Sequence, residues 1–192
     1  MQKGVGQAHV ALAFEGTDYC APGIYAAPIH SIAMGGGMSS RRFQELRENR
    51  GLCYTIFAQM GAYADTGLMT VYAGTSAEQL GDLAEVTIDQ LKRAAEDMSD
   101  EEIARARAQM KAGMLMGLES PSNRAERLAR MLAIWGRVPG IDEVVEKIDA
   151  VGRDDVRGFG ARLVEQSGNA LALYGPVSQA PTLEALRERL AA

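Results

Sequence analysis

The sequence of 192 residues predicts an α+β fold, a mostly antiparallel sheet with helices packed on it. Two runs of alternating apolar residues, Cys53–Ala64 and Leu68–Gly74, are joined by the turn Asp65-Thr66-Gly67 and predict an antiparallel hairpin. A long stretch with helical spacing follows, and one short β-rich run lies near the end. No repeat, low-complexity stretch or linker divides the chain, so residues 1–192 are expected to form a single domain.

The first part of the chain predicts one strand and two helices ahead of the hairpin. Gln7–Phe14 alternates in polarity, which indicates a strand. Ile24–Met34 has helical spacing and stops at three glycines, which helix interiors tolerate poorly. Ser39 or Ser40 then offers an N-cap for a charged helix that runs to Arg50 and ends at Gly51.

Cap signals divide the helical part that follows the hairpin. Thr75-x-x-Glu78 and Ser99-x-x-Glu102 both match the capping box, and Ser120-Pro121 places an N-cap before a proline. The helix after Ser120 carries an apolar stripe of Leu128, Met131, Leu132 and Trp135. The remaining predicted elements are helices at Ile141–Ile148, Asp154–Val164 and Leu183–Leu190 and a strand at Asn169–Tyr174.

Composition and charge exclude several classes of function. With 20 basic and 25 acidic residues the net charge is −5, which gives no electrostatic footprint for nucleic acid. No apolar run approaches the ~20 residues that span a bilayer, and the N-terminus lacks the layout of a signal peptide. We therefore expect a soluble chain without membrane insertion, with the cytoplasm favoured and the compartment otherwise unknown.

The residues that bind metals are scarce. The chain has two histidines, His9 and His30, and neither has a histidine four residues further on. Cys20 and Cys53 form no C-x-x-C pair, and no H-E-x-x-H or H-x-x-E-H string occurs. The sequence therefore predicts no zinc site made by this chain alone. The three glycines follow a helix and match no phosphate-binding fingerprint, so nucleotide binding is not expected.

The segment Ser39–Tyr54 admits two interpretations. Its arginines and glutamates could form a solvated helix face, with ion pairs such as Glu45–Arg42 and Glu48–Arg41. Alternatively, a helix end that passes into a strand could direct Arg47 and Tyr54 into one cleft. A guanidinium and a phenol placed there can bind a peptide carbonyl and donate to an oxyanion.

The stretch Gly35–Tyr54, GGGMSSRRFQELRENRGLCY, resembles the signature of the non-catalytic half of the pitrilysin/insulinase zinc metallopeptidases, which include the mitochondrial processing peptidase. The resemblance covers essentially the whole chain and implies the C-terminal half of a peptidase whose two similar halves close around a chamber. It implies that Tyr54 stabilises the tetrahedral oxyanion and that Arg47 holds the peptide backbone. The residues it places near the substrate are Gly35, Gly36, Gly37 and Met38.

Two departures qualify what the resemblance implies. Arg42 stands where the family usually has an apolar residue, and H-x-x-E-H is missing. Zinc would therefore be held by a partner half, in the same polypeptide or in a sister subunit, and this chain is not expected to hydrolyse peptides without it. The alternative is a catalytically inactive structural subunit of the same family, and a homodimer also remains open.

Overall fold

The computed structural model describes residues 6–37, 40, 43–166 and 168–192. Its strands form one four-stranded antiparallel sheet in the order β2-β3-β1-β4. The strands are β1 (Ala8–Glu15), β2 (Thr55–Ala62), β3 (Gly67–Thr75) and β4 (Asn169–Tyr174). The predicted α+β class is confirmed, and β2 and β3 form the predicted hairpin.

Seven α-helices and one short π-helix accompany these strands in the described part of the chain. The π-helix is Phe43–Asn49. The α-helices are α1 (Ala26–Gly35), α2 (Leu80–Asp97), α3 (Asp100–Gly117), α4 (Pro121–Trp135), α5 (Ile141–Ala150), α6 (Arg153–Glu165) and α7 (Leu183–Ala191). Among the described residues, none of these helices is long and apolar enough to cross a bilayer.

The sheet buries one face and leaves the other open. Along β1, Ala8, Val10, Leu12 and Phe14 are buried, and the residues between them are at least partly exposed. Helix α1 packs on the β2 side of the sheet, and α6 packs between α1 and α2. The buried side chains of these elements form one continuous apolar core. The opposite face of the sheet is covered by none of these helices.

One predicted cap is wrong and two are confirmed. Thr75 lies buried at the end of β3, and α2 begins at Leu80 without a side-chain cap. The Thr75 hydroxyl donates instead to the carbonyl of Leu52 at 2.5 Å, and this bond joins the end of β3 to the segment that precedes β2. The capping box of Ser99 and Glu102 and the N-cap of Ser120 are both present.

The described part of the predicted helix up to Arg50 is wound differently from an α-helix. Of the described residues, Phe43–Asn49 form a helix in the wider π form and Arg50 lies in a turn, whereas Ser39, Arg41 and Arg42 lie outside the described residues. The hydroxyl of Ser40 is buried and bonds to none of the described residues, so it caps nothing there. Glu45 pairs with Arg50 at 2.6 Å, a partner that the helical spacing did not indicate.

Candidate functional site

Arg47 and Tyr54 stand at the two ends of a tight connection between the π-helix and β2. Gly51 turns the chain with a φ of +62°, a conformation that favours glycine. The amide of Gly51 donates to the carbonyl of Arg47 at 3.2 Å, and the amide of Leu52 donates to the carbonyl of Leu46 at 2.8 Å. These bonds fix the helix end against the segment that enters the strand.

The far side of the connection is braced by the sheet and by the start of α2. Besides the Thr75 bond to Leu52, the side chain of Gln79 donates to the carbonyl of Gly51 at 3.2 Å. The amide of Tyr54 donates to the carbonyl of Gly74 at 2.9 Å. Sequence reasoning missed Thr75 and Gln79 here, because the pattern around Thr75 looked like a helix cap and long-range bonds leave no local signal.

The two predicted catalytic side chains point outward from this braced segment. Tyr54 is 59% exposed, and Arg47 is exposed as well. Leu52 and Cys53, which lie between them, are buried in the core. Because the connection is anchored by buried residues, both side chains are presented to solvent from a backbone with little freedom.

The positive charge of Arg47 acts on Cys53, the residue before Tyr54. Burial raises the pKa of the Cys53 thiol, and the positive charge of Arg47 partly opposes that rise. Hydrogen bonds from Arg50 and then Asn49 lower the pKa of Glu45. The carboxylate of Glu45 is thus tied to Arg50, whereas the charge of Arg47 acts on Cys53.

The glycines that the resemblance places near the substrate differ in their surroundings. Gly35 is buried, and a Cβ there would lie 2.5 Å from the backbone nitrogen of Ala58. The carbonyl of Gly36 accepts from the side chain of Gln109 at 2.6 Å, and Gly37 is exposed. Gly35 thus has a packing role, Gly36 and Gly37 lie nearer the surface, and Met38 lies outside the described residues.

The described side chains do not fit a zinc ion. His9 lies on the open face of the sheet, where its Nδ1 is 2.7 Å from the hydroxyl of Tyr72. His30 is buried in α1, on the covered side of the sheet, with its ring against Phe159. The sheet separates the two imidazoles, and no group of three or more His, Cys, Asp or Glu residues converges within the described ranges.

The comparisons with known proteins show to which family this chain belongs. Residues 1–110 match the family described as the Peptidase M16 inactive domain. The chain belongs to this family of zinc proteases.

Individual relatives extend the similarity beyond the matched range. The chain is 33% identical over 184 residues to an uncharacterised zinc protease of Bacillus subtilis, covering 94% of the chain and 44% of that protein. It is 37% identical over 172 residues to an uncharacterised zinc protease of Streptomyces coelicolor, covering 89% of the chain and 37% of that protein. The chain thus spans less than half the length of these relatives.

A solved structure shows the same fold. A chain of complex III2 from Candida albicans superimposes with a TM-score of 0.86 at 19% sequence identity. The match covers 97% of this chain and 47% of that one. At this identity the likeness concerns the fold, and the assignment to the family rests on the sequence matches.

Proposed function

We propose that this chain is the substrate-binding, non-zinc C-terminal half of a zinc-dependent metalloendopeptidase that cleaves peptides in a closed chamber between two halves. The observation that carries the proposal is the braced connection that exposes both Arg47 and Tyr54. The same two residues carry the resemblance to the peptide-binding signature. A role in packing would instead favour their burial.

The chemistry of each side chain fits a separate task. The phenol of Tyr54 can donate one hydrogen bond, and in the proposed enzyme it would stabilise the negative oxygen that forms when a peptide carbonyl is attacked. The guanidinium of Arg47 keeps its charge at every working pH and holds a substrate carbonyl or carboxylate through paired N–H groups. Gly36 and Gly37 would let the peptide approach the adjoining loop, because a glycine has no side chain to block it.

The partner half completes the proposed enzyme. It would hold the zinc ion, which polarises the scissile carbonyl and activates water when bound. The relatives are more than twice as long as the matched segment, which leaves room for such a half in the same polypeptide. This chain alone is expected to bind substrate and not to hydrolyse it.

The test is peptide hydrolysis by this chain assembled with its zinc-bearing half. For Tyr54→Phe we expect kcat to fall by ~10²–10³ with little change in KM, because a donor that acts in the transition state is lost. For Arg47→Ala we expect kcat/KM to fall ~10–100-fold through a higher KM, because a charged hydrogen bond to the bound peptide is lost.

Matched controls separate these roles from general damage to the fold. Tyr63→Phe changes an exposed tyrosine at the far end of the hairpin, and Arg50→Ala removes a neighbouring positive charge. Both controls should keep kcat and KM within about twofold, as expected of surface changes. Full activity of both Tyr54→Phe and Arg47→Ala would contradict the proposal and favour the structural-subunit alternative.

A further inference from the structure

The segment between the π-helix and β2 is held to the end of β3 at two points. The amide of Tyr54 donates to the carbonyl of Gly74 at 2.9 Å, and the carbonyl of Leu52 accepts from the hydroxyl of Thr75 at 2.5 Å. Leu52 and Tyr54 lie on either side of the buried Cys53. One bond would let the segment turn about it, whereas two bonds to adjacent residues of β3 fix the direction of its backbone. The exposed side chain of Tyr54 therefore leaves the core in a defined direction.

Thr75 makes with its side chain a bond that a strand would make with its backbone. The pairing between β2 and β3 ends at Thr55 and Gly74, so the carbonyl of Leu52 lies beyond the ladder. Thr75 is fully buried and pairs with Ala8 on β1, which holds its backbone in place. Its branched Cβ also restricts the rotation of the side chain. The hydroxyl is thus presented to Leu52 from a rigid position.

The second brace of this segment lies at the surface. The side chain of Gln79 donates to the carbonyl of Gly51 at 3.2 Å in an exposed bond, which water can replace at little cost. The bond from Thr75 to Leu52 is buried, and a buried carbonyl that loses its donor is left unpaired. Of the two braces, Thr75 therefore has the larger influence on where the segment lies.

We propose that Thr75 is a positioning residue for Tyr54. Its hydroxyl holds the carbonyl of Leu52, and the buried backbone at Cys53 carries this constraint to the phenol of the next residue. Thr75 is itself buried, so it acts through Tyr54 and not on the substrate. This role rests on the proposed function of Tyr54 as a donor to the oxyanion. Such a donor loses much of its effect when it is displaced by about 1 Å from the oxygen that it stabilises.

The kinetic test compares Thr75→Val, which keeps the shape of the side chain without the hydroxyl, with Thr75→Ser, which keeps the hydroxyl. In the assembled enzyme, Thr75→Val should lower kcat by ~10–30-fold and leave KM within about twofold, because Tyr54 acts in the transition state. Thr75→Ser should keep kcat within about threefold of the wild type. The matched control is Thr87→Val, which removes another buried hydroxyl, on α2, and should leave kcat within about twofold.

A double-variant cycle separates positioning from general damage. A positioning residue acts only through the phenol of Tyr54, so Thr75→Val added to Tyr54→Phe should lower kcat by less than about threefold further. Losses that multiply in the double variant would contradict the positioning role. Full activity of Tyr54→Phe would contradict the proposed function itself. A loss with Tyr54→Phe and none with Thr75→Val would overturn the positioning role alone.

A readout that does not depend on catalysis is the fluorine NMR signal of Tyr54 in this chain labelled with fluorotyrosine, assigned by its absence from Tyr54→Phe. The signal should shift or broaden with Thr75→Val and keep its wild-type position with Thr75→Ser. An unchanged signal in Thr75→Val would overturn the inference even if kcat fell. Circular dichroism checks the fold of each variant. If neither Thr75→Val nor Thr75→Ala folds, the hydroxyl is needed for folding and the positioning role is rejected.

Discussion

At Gly35 the end of α1 comes so close to β2 that a methyl group has no room. A Cβ there would lie 2.5 Å from the nitrogen and 2.8 Å from the Cβ of Ala58. Gly35→Ala should lower the free energy of unfolding by about 1–3 kcal/mol, because helix and strand must separate. Gly113→Ala, in an exposed turn of α3 with nothing within 4 Å, should instead raise it by about 0.5–1 kcal/mol. Urea unfolding measures the free energy of unfolding of both variants. Equal changes in the two variants would contradict the packing role of Gly35.

Single residues also show where sequence reasoning succeeds and where it stops. The turn at Gly51 follows from local chemistry and was predictable as the end of a helix. The exposure of Tyr54 was not, because the alternation from Cys53 to Ala64 puts Tyr54 on the same side as Ile56, which is buried. The bonds from Thr75 to Leu52 and from Gln79 to Gly51 join residues more than 20 positions apart. No periodicity encodes such pairs, so the braces that fix the candidate site could be seen only in the structure.

Among the elements, α3 has the clearest local start signal. The Ser99 hydroxyl accepts from the amide of Glu102, and the Glu102 carboxylate accepts from the amide of Ser99 at 2.8 Å. Ser99→Ala should therefore lower the free energy of unfolding by about 1 kcal/mol. Ser76→Ala, which removes a hydroxyl that caps no helix, should change it by less than about 0.5 kcal/mol. Thermal unfolding compares the two, and an unchanged Tm for Ser99→Ala would contradict the contribution of the cap.

The hairpin and α4 show why elements differ in how well a sequence predicts them. The β2–β3 pair was predictable because alternation and a tight turn specify a hairpin within about twenty residues. The existence of α4 was also predictable, from Ser120, Pro121 and the apolar stripe. Its exposure was not, because the same stripe specifies a face to be buried without specifying the partner that buries it.

At the scale of the whole molecule, the order of elements along the chain was predictable and the order of strands in the sheet was not. Strand β1 lies between β3 and β4, so its two neighbours come from the middle and the end of the chain. Pairings across such separations depend on which surfaces the complete set of helices can cover. The fold of the structural neighbour matches 97% of this chain, and the family match covers residues 1–110 of this chain.

An ion pair between α2 and α7 makes stability depend on pH. Arg189 on α7 donates to both carboxylate oxygens of Asp89 on α2 at 2.8 Å. These hydrogen bonds lower the pKa of Asp89 below its ordinary value of 3.8, and bonds from Arg137 and Lys147 lower the pKa of Glu143 to about 2. A carboxyl with a lowered folded pKa stabilises the fold above its unfolded pKa and loses that contribution as the pH falls through the folded pKa. Stability should therefore be constant near neutral pH and fall from about pH 4 downward.

Asp89→Asn isolates the part of this dependence that belongs to the contact between α2 and α7. Because solvent screens a pair on the surface, the variant should lose only about 0.5–1 kcal/mol of unfolding free energy at pH 7. The difference from the wild type should shrink toward zero as acid protonates Asp89, since the wild type then lacks the same charge. Glu96→Gln, an exposed carboxyl elsewhere on α2, should stay within about 0.5 kcal/mol of the wild type throughout. The measurement is urea unfolding of these proteins between pH 7 and pH 2. If the difference in unfolding free energy between Asp89→Asn and the wild type stayed constant over this range, the charge of Asp89 would not hold α7 to α2.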